Sequence, residues 1–306
     1  MRILLTGSSG RLGSVLAPRL RGLGHDVVGF DPVASGETRI VGSIADRDLV
    51  MDAVRQHRIQ AIIHSGALHK PNIESHGNSA FIATNVQGTL NLLDAAVATG
   101  VERFVFTSTT SLMISQAIRE GFDGGARKAA WLTEEMSPEP RNIYGVTKLS
   151  AEHLCRLYHL QHGLSVVVLR TARFFPEADD MAHAIEQSDA NTKANELLFR
   201  RLTVEDAAQA HVAALAKASQ LGFDVFILCA PTPFRPQDCD ALIRDAPSVV
   251  ARYFPDFSSL YARRGWSMFA SIDRVYDASR ARDRLGFVCK TSFADVLADL
   301  REEGAA

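Results

Sequence analysis

The apolar run Arg2–Thr6 leads straight into Thr6-Gly7-Ser8-Ser9-Gly10-Arg11-Leu12-Gly13, and an amphipathic stretch follows. A short strand that turns through glycines into a helix must bury both elements, and a βαβ unit in a parallel sheet does so. The turn leaves backbone N–H groups free at the helix N-terminus, where the dipole favours an anion. Gly7 suits the tight turn, Gly10 lets a pyrophosphate approach the backbone, and Gly13 lets helix and strand pack closely. Ser9, Arg11 and Leu12 fill the positions between. The spacing is GxxGxxG, and its place after a first strand predicts a dinucleotide site at the start of the chain.

The same rhythm continues. Strands are expected at Arg2–Thr6, Asp26–Phe30, Arg39–Val41, Ala61–His64, Arg103–Thr107 and Ser165–Arg170, and helices near Leu12–Gly24, Asp46–Gln56, Ser79–Gly100 and Tyr144–Gly163. Gly24, Gly100 and Gly163 each stand where a helix ends in a left-handed residue. The fold class is therefore α/β, a Rossmann-type doubly wound parallel sheet whose ligand crevice lies at the carboxyl ends of its strands. Residues 1–170 form the nucleotide-binding domain. Residues 171–306 form mainly a smaller C-terminal substrate-binding cap, with parts returning to the sheet. In that half a polar stretch, Ala178–Lys193, precedes a helix near Val204–Ala218, a strand at Phe223–Leu228 and the Pro-rich Ala230–Pro236. The segment from there to Arg264 shows no clear periodicity.

A net charge of −2 over 306 residues, with no basic stripe, argues against a nucleic-acid partner. No apolar run has membrane-spanning length, and Met1-Arg2-Ile3-Leu4-Leu5 is too short for a signal-peptide core. Cys155, Cys229, Cys239 and Cys289 are scattered without metal-ligand spacing, which reads as reduced thiols in a cytoplasmic protein. Cys155 and His159 share a helix face but lack a third ligand, so no metal site is expected.

Asp31 follows the second strand, where a carboxylate would bond the adenosine ribose hydroxyls and repel a 2′-phosphate. That favours NAD over NADP. Asp31-Pro32 is also a common turn pair, and Arg11 in the glycine loop could meet a phosphate. Tyr144 and Lys148 stand four apart on a helix and project from one face. An ammonium beside a phenol favours the phenolate, the form that takes a proton from an alcohol as hydride leaves. The fifth strand ends in Thr107-Ser108-Thr109-Thr110-Ser111, hydroxyls at a crevice end that could bond a substrate oxygen, although threonines also favour strands.

Taken together, Thr6–Gly13, Asp31, Ile63-His64-Ser65-Gly66-Ala67, Asn85-Val86-Gln87-Gly88-Thr89, the hydroxyl strand, Tyr144–Lys148 and Arg170 resemble the NAD-dependent epimerase/dehydratase family of the extended short-chain dehydrogenase/reductases. Val204-Glu205-Asp206-Ala207 and Asp277–Phe287 resemble later family elements. The resemblance implies that Thr109 joins Tyr144 and Lys148 as the catalytic hydroxyl. It also implies that Ser43, Ile44, Ser65, Gly66, Ala67, Asn85, Thr107 and Thr171 line the cofactor with the glycine loop, Tyr144 and Lys148. Thr109, Thr110 and Arg173 would face the substrate, and a homodimer would form through the Ser79–Gly100 and Tyr144–Gly163 helices.

Three departures stand out. Ser43 follows Val41-Gly42 where an Asp often holds adenine, Leu112-Met113 replaces a usual Tyr-Gly, and Arg173 stands near an Asn position. Arg173 with Phe175-Pro176-Glu177 is similar to uronate dehydrogenases, and a guanidinium could pair with a substrate carboxylate. The readings that follow are a sugar or nucleotide-sugar epimerase or dehydratase, a dehydrogenase of a free sugar or uronate, and a non-catalytic dinucleotide-binding regulator.

Overall fold

The computed structural model describes residues 1–174 and 187–303; Phe175-Pro176-Glu177 and residues 178–186 of the polar stretch lie outside the described residues. Seven parallel strands form one sheet: β1 (Arg2–Thr6), β2 (Asp26–Asp31), β3 (Ile40–Val41), β4 (Ala61–His64), β5 (Arg103–Thr109), β7 (Ser165–Thr171) and β8 (Phe223–Leu228). The spatial order is β3-β2-β1-β4-β5-β7-β8, so the chain reverses its direction of travel at β1 and β4. A crevice opens at the carboxyl ends of the strands at such a switch point. The register aligns those ends: Thr6 lies beside Phe30 and His64, His64 beside Phe106, and Thr109 beside Thr171.

Strand side chains alternate between two cores, as a pleat covered on both faces requires. Ile3, Leu5, Ile63, Val105 and Leu169 meet the helices Arg11–Gly22 and Val204–Leu221 on one face. Leu4, Val28, Ile62, Phe104 and Val166 meet the opposite layer, which includes Val50 and Val54 of Arg47–Gln56, Leu92 and Ala96 of Gly88–Thr99, and Ala151 and Cys155 of Ile143–His162. Cys155 is thus part of the core, while His159 Nδ1 lies 2.9 Å from the Leu164 carbonyl.

β5 and β7 run further than the sequence pattern suggests, to Thr109 and Thr171. Their parallel pairing continues through Ser108–Arg170 and Thr109–Thr171 despite the polar side chains. The helix that follows β4 is built of Asn78–Phe81, a π-turn at Ile82–Gln87 and Gly88–Thr99. Such a turn bonds each N–H to the fifth carbonyl back, and Asn85 lies within it.

The C-terminal half has a third core, in which Leu197, Phe199, Leu242, Val249, Tyr261, Val275, Phe293 and Leu297 pack together. Two short parallel strands, β6 (Ala130–Leu132) and β9 (Arg274–Tyr276), belong to it, although β6 precedes the Tyr144 helix in the chain. The stretch without periodicity holds the helices Ala246–Tyr253 and Phe257–Arg264, each only eight residues long. Two turns are too short to establish a 3.6-residue pattern by eye. No described helix is long and apolar enough to cross a membrane.

Candidate active site

A cleft of about 840 Å³ opens across the carboxyl ends of β1, β2, β4, β5 and β7 and beneath the cap. At its floor Gly7 takes φ +72°, and a Cβ there would lie 2.8 Å from the backbone nitrogen of Gly66. Gly10 caps the helix Arg11–Gly22 without a side-chain hydrogen bond, and no acidic residue stands in the first turn. That N-terminus therefore keeps its N–H groups and its positive dipole end for an anion. Gly7, Gly10, Arg11 and Leu12 line the cleft. Gly13 lies beneath it, where a Cβ would come within 2.2 Å of the Gly7 carbonyl oxygen. Ser9 is turned away: its hydroxyl bonds the Val33 carbonyl and the Thr38 hydroxyl, which ties the loop to the segment after β2.

Asp31 ends β2 and is 8% exposed. One carboxylate oxygen accepts from Ser9 N–H at 3.1 Å and the other from Val33 N–H at 2.9 Å. Both bonds fix the group at the cleft wall and leave each oxygen a lone pair for a ribose hydroxyl. Ser43, Ile44, Ser65, Gly66 and Ala67 continue that wall. Behind it His64 holds the two sides together. Thr89 donates to the Asn85 carbonyl, so His64 Nε2–H must donate to Thr89. His64 Nδ1 then accepts from Thr6, whose hydroxyl oxygen accepts from Gly66 N–H. Burial holds this imidazole well below its usual pKa, in keeping with a neutral ring.

Asn85 does not line the cleft. Its amide accepts from Leu68 N–H, donates to the Leu68 carbonyl and donates to Thr147, so it pins the loop after β4 to the Tyr144 helix. That helix, Ile143–His162, starts at Asn142, whose side chain accepts from Gly145 N–H. The cap aims Tyr144 into the cleft from the first turn, with Lys148 one turn on. The two are 6% and 3% exposed. The edge of one ring meets the other between His69 and Tyr144, with centroids 4.9 Å apart. Lys148 Nζ sits 4.0 Å above the centre of the Phe106 ring, which stabilises a cation electrostatically.

Burial pushes the Tyr144 phenol up to about 12, opposed by a hydrogen bond from the Thr109 side chain that favours the phenolate. Burial also brings Lys148 down to about 7, opposed by its neighbours Cys155 and Glu152. Thr107, Thr109, Thr110 and Thr171 line the cleft around them. Thr107 donates to His211 Nε2 at 2.7 Å, because the other ring nitrogen of His211 donates to the Ala207 carbonyl. Thr171 donates to the Ser108 carbonyl.

The cap wall is cationic. Arg173 lines the cleft and pairs with Glu196, a carboxylate with no exposed side-chain surface that also takes Arg200 and Arg201, at 3.1, 2.5 and 2.9 Å in turn. Arg200, Arg274 and Tyr276 line the cleft as well, together with His69. These four lay outside the sequence reading. Arg200, Arg274 and Tyr276 come from irregular or three-residue elements that only the tertiary fold brings to the site. His69 carries one available signal, its position five residues past the end of β4.

The sequence model of the NAD dependent epimerase/dehydratase family matches residues 3–228. The chain belongs to this family. Among curated relatives, it is 31% identical over 175 residues to a UDP-glucose 4-epimerase of Rhizobium meliloti, covering 55% of this chain and 50% of that protein. It is 28% identical over 197 residues to an L-arabinose 1-dehydrogenase (NAD(P)(+)) of Haloferax volcanii, covering 62% and 73%. The chain thus spans about half the length of the first of these family members. In structure it is similar to the UDP-glucose 4-epimerase of Thermotoga maritima, with a TM-score of 0.68 at 21% identity and full coverage of both chains. A uronate dehydrogenase gives 0.64 at 22% identity over 98% of this chain and 86% of that one. These likenesses establish the family fold, a parallel sheet flanked by helices.

Proposed function

We propose that the chain is an NAD-dependent enzyme that oxidises a secondary alcohol of a sugar or nucleotide-sugar, with Tyr144 as general acid/base. The observation that carries this reading is the meeting of Thr109, Tyr144 and Lys148 in the cleft that also holds the uncapped glycine-loop helix. Gly7, Gly10, Arg11 and Leu12 would hold the pyrophosphate, and Asp31 the adenosine ribose. NAD, when bound, supplies the hydride acceptor. Tyr144 takes the alcohol proton, Thr109 bonds the phenol and the substrate oxygen, and Lys148 favours the phenolate by its charge. Thr110 and Arg173 face the rest of the sugar. The apolar side chains of Ile82, Val146, Leu157 and Leu160, all exposed on the helices 78–99 and 143–162, support a homodimer through that layer.

The deciding experiment supplies purified protein with NAD and a panel of aldoses, uronates and UDP- or GDP-sugars. Conversion of a nucleotide-sugar to its epimer without accumulating NADH identifies an epimerase. NADH far in excess of enzyme with a free sugar identifies a dehydrogenase, a reading favoured by the arabinose dehydrogenase relative. NAD binding without turnover on any member of the panel would favour the regulator.

Asp31 makes a separate prediction about the dinucleotide. Asp31→Ala should weaken NAD by roughly tenfold, the loss of hydrogen bonds to a charged acceptor, and change NADP affinity far less. Titration of intrinsic fluorescence with both dinucleotides measures this, and equal losses would remove the ribose assignment.

The pH dependence follows from the buried pair. Its first proton leaves near pH 7 from Lys148, and transfer of the phenolic proton to the amine then gives the reactive ammonium–phenolate form at the same total charge. Alcohol oxidation should therefore rise about tenfold per pH unit below about pH 7 and level off above it. A rate with no inflection between about pH 5 and pH 9 would exclude this pair as the titrating base.

A further inference from the structure

One helical turn beyond Lys148 lies a buried array built on Glu152 and Arg170, which do not line the cleft, and on Ser108, which does. Glu152 Oε1 accepts from the Ser108 hydroxyl at 2.5 Å. Arg170 donates through Nε to Oε1 at 3.1 Å and through Nη2 to Oε2 at 2.8 Å. The side chains of Arg170 and Glu152 are only 7% and 6% exposed. Ser108 and Arg170 are register partners on β5 and β7, and each precedes a residue that lines the cleft, Thr109 and Thr171. The carboxylate thus ties three elements together at the level of the catalytic group: the Tyr144 helix, the hydroxyl end of β5, and β7.

We propose that Glu152 is a positioning residue of the active site: it holds a negative charge one turn beneath Lys148 and, through Ser108, fixes the strand end that carries Thr109. The inference rests on the catalytic pair proposed above. Lys148 is desolvated, and burial alone would discharge it. Besides Tyr144, a neutral phenol until it reacts, the charged and titratable groups facing it are Glu152 and Cys155 from its own helix and His64 from β4. His64 is held neutral by burial, and burial raises the Cys155 thiol well above its usual range, so it too is neutral. Glu152 is therefore the anion that supports the ammonium. Arg170 pairs with the same carboxylate in the interior, which offsets the cost of burying it.

The arrangement predicts a signature distinct from simple loosening of the fold. Without the Glu152 charge Lys148 gives up its proton more readily, so the ammonium–phenolate form is rarer by the same factor. The rate on the rising limb stays unchanged, the limb ends at a lower pH, and the plateau falls.

The test is direct because the chain has six lysines, which ¹³Cε labelling and Lys148→Met would resolve and assign by NMR. In Glu152→Gln the ionisation constant of Lys148 should increase by about tenfold, the effect of losing one nearby opposite charge. The plateau rate should fall about tenfold, with NAD affinity within about twofold of wild type. Glu152→Asp should return the ionisation constant to within about threefold of wild type, since the charge remains. If Glu152→Gln does not fold, the double variant Glu152→Gln/Arg170→Met removes both charges together, and Lys148 should still ionise more readily. An unchanged Lys148 titration in the folded variants overturns the proposal, as does a loss of rate with an unmoved limb. A shifted titration in a protein that turns over no sugar leaves Glu152 coupled to Lys148 and instead overturns the proposed enzymatic function.

Discussion

Replacing Tyr144 by Phe is expected to reduce turnover by about 10²- to 10⁴-fold, the usual contribution of a positioned acid/base, with little change in NAD affinity. The ring can stay in place, because its T-shaped contact with His69 does not use the hydroxyl, and the lost oxygen bonds the Thr109 side chain. The glycine loop and Asp31 reach the cleft from β1 and β2, on the far side of the switch point from the Tyr144 helix. Dinucleotide binding should therefore survive. The measurement pairs steady-state rates on an identified substrate with NAD titration of the same preparation. Full activity in Tyr144→Phe would take the phenol out of the mechanism, and loss of NAD binding would mean that the residue acts through structure. A regulator predicts a third result: no turnover in either protein and equal NAD binding in both.

Much of this site can be read from local sequence. The glycine loop is legible because its chemistry is backbone chemistry: Gly7 and Gly13 occupy places where a Cβ would overlap Gly66 or the Gly7 carbonyl, so the residue type itself reports the geometry. Tyr144 and Lys148 are legible because a helix converts a spacing of four into a shared face. Asp31 is legible by position, since it ends a strand next to the loop. The sequence does not reveal which side chains support the site and which meet the ligand. Asn85 and Ser9 were expected on the cofactor, yet the structure turns Asn85 to Leu68 and Thr147 and Ser9 to the segment after β2. Both choices depend on partners tens of residues away. The arginine wall is hidden for the same reason. Arg200 and Arg274 are far apart in sequence and meet only because β9 pairs with β6 and packs in the cap core.

That wall carries the largest stability prediction. Glu196→Gln should destabilise the protein by about 3–5 kcal/mol, the cost of removing one partner from a buried ion pair. The carboxylate is fully buried and shared by Arg173, Arg200 and Arg201, and Arg200 is already held below its usual pKa by burial and by the neighbouring Arg274 and Arg173. The cluster also joins the two halves of the molecule. Arg173 leaves the end of β7 and forms a backbone bridge with Arg201, accepting from Leu202 N–H and donating to the Arg200 carbonyl. Repulsion among the guanidiniums would act at this junction, so the cap should loosen from the sheet before the sheet itself melts. Thermal unfolding followed by circular dichroism, together with NAD titration below the transition, tests this. The expected result is a clearly lower midpoint with NAD still bound by the glycine loop. A midpoint within about one degree of wild type would mean that the arginines do not depend on this carboxylate, and that the junction is held by its backbone bonds and the apolar core around Phe199 and Leu202.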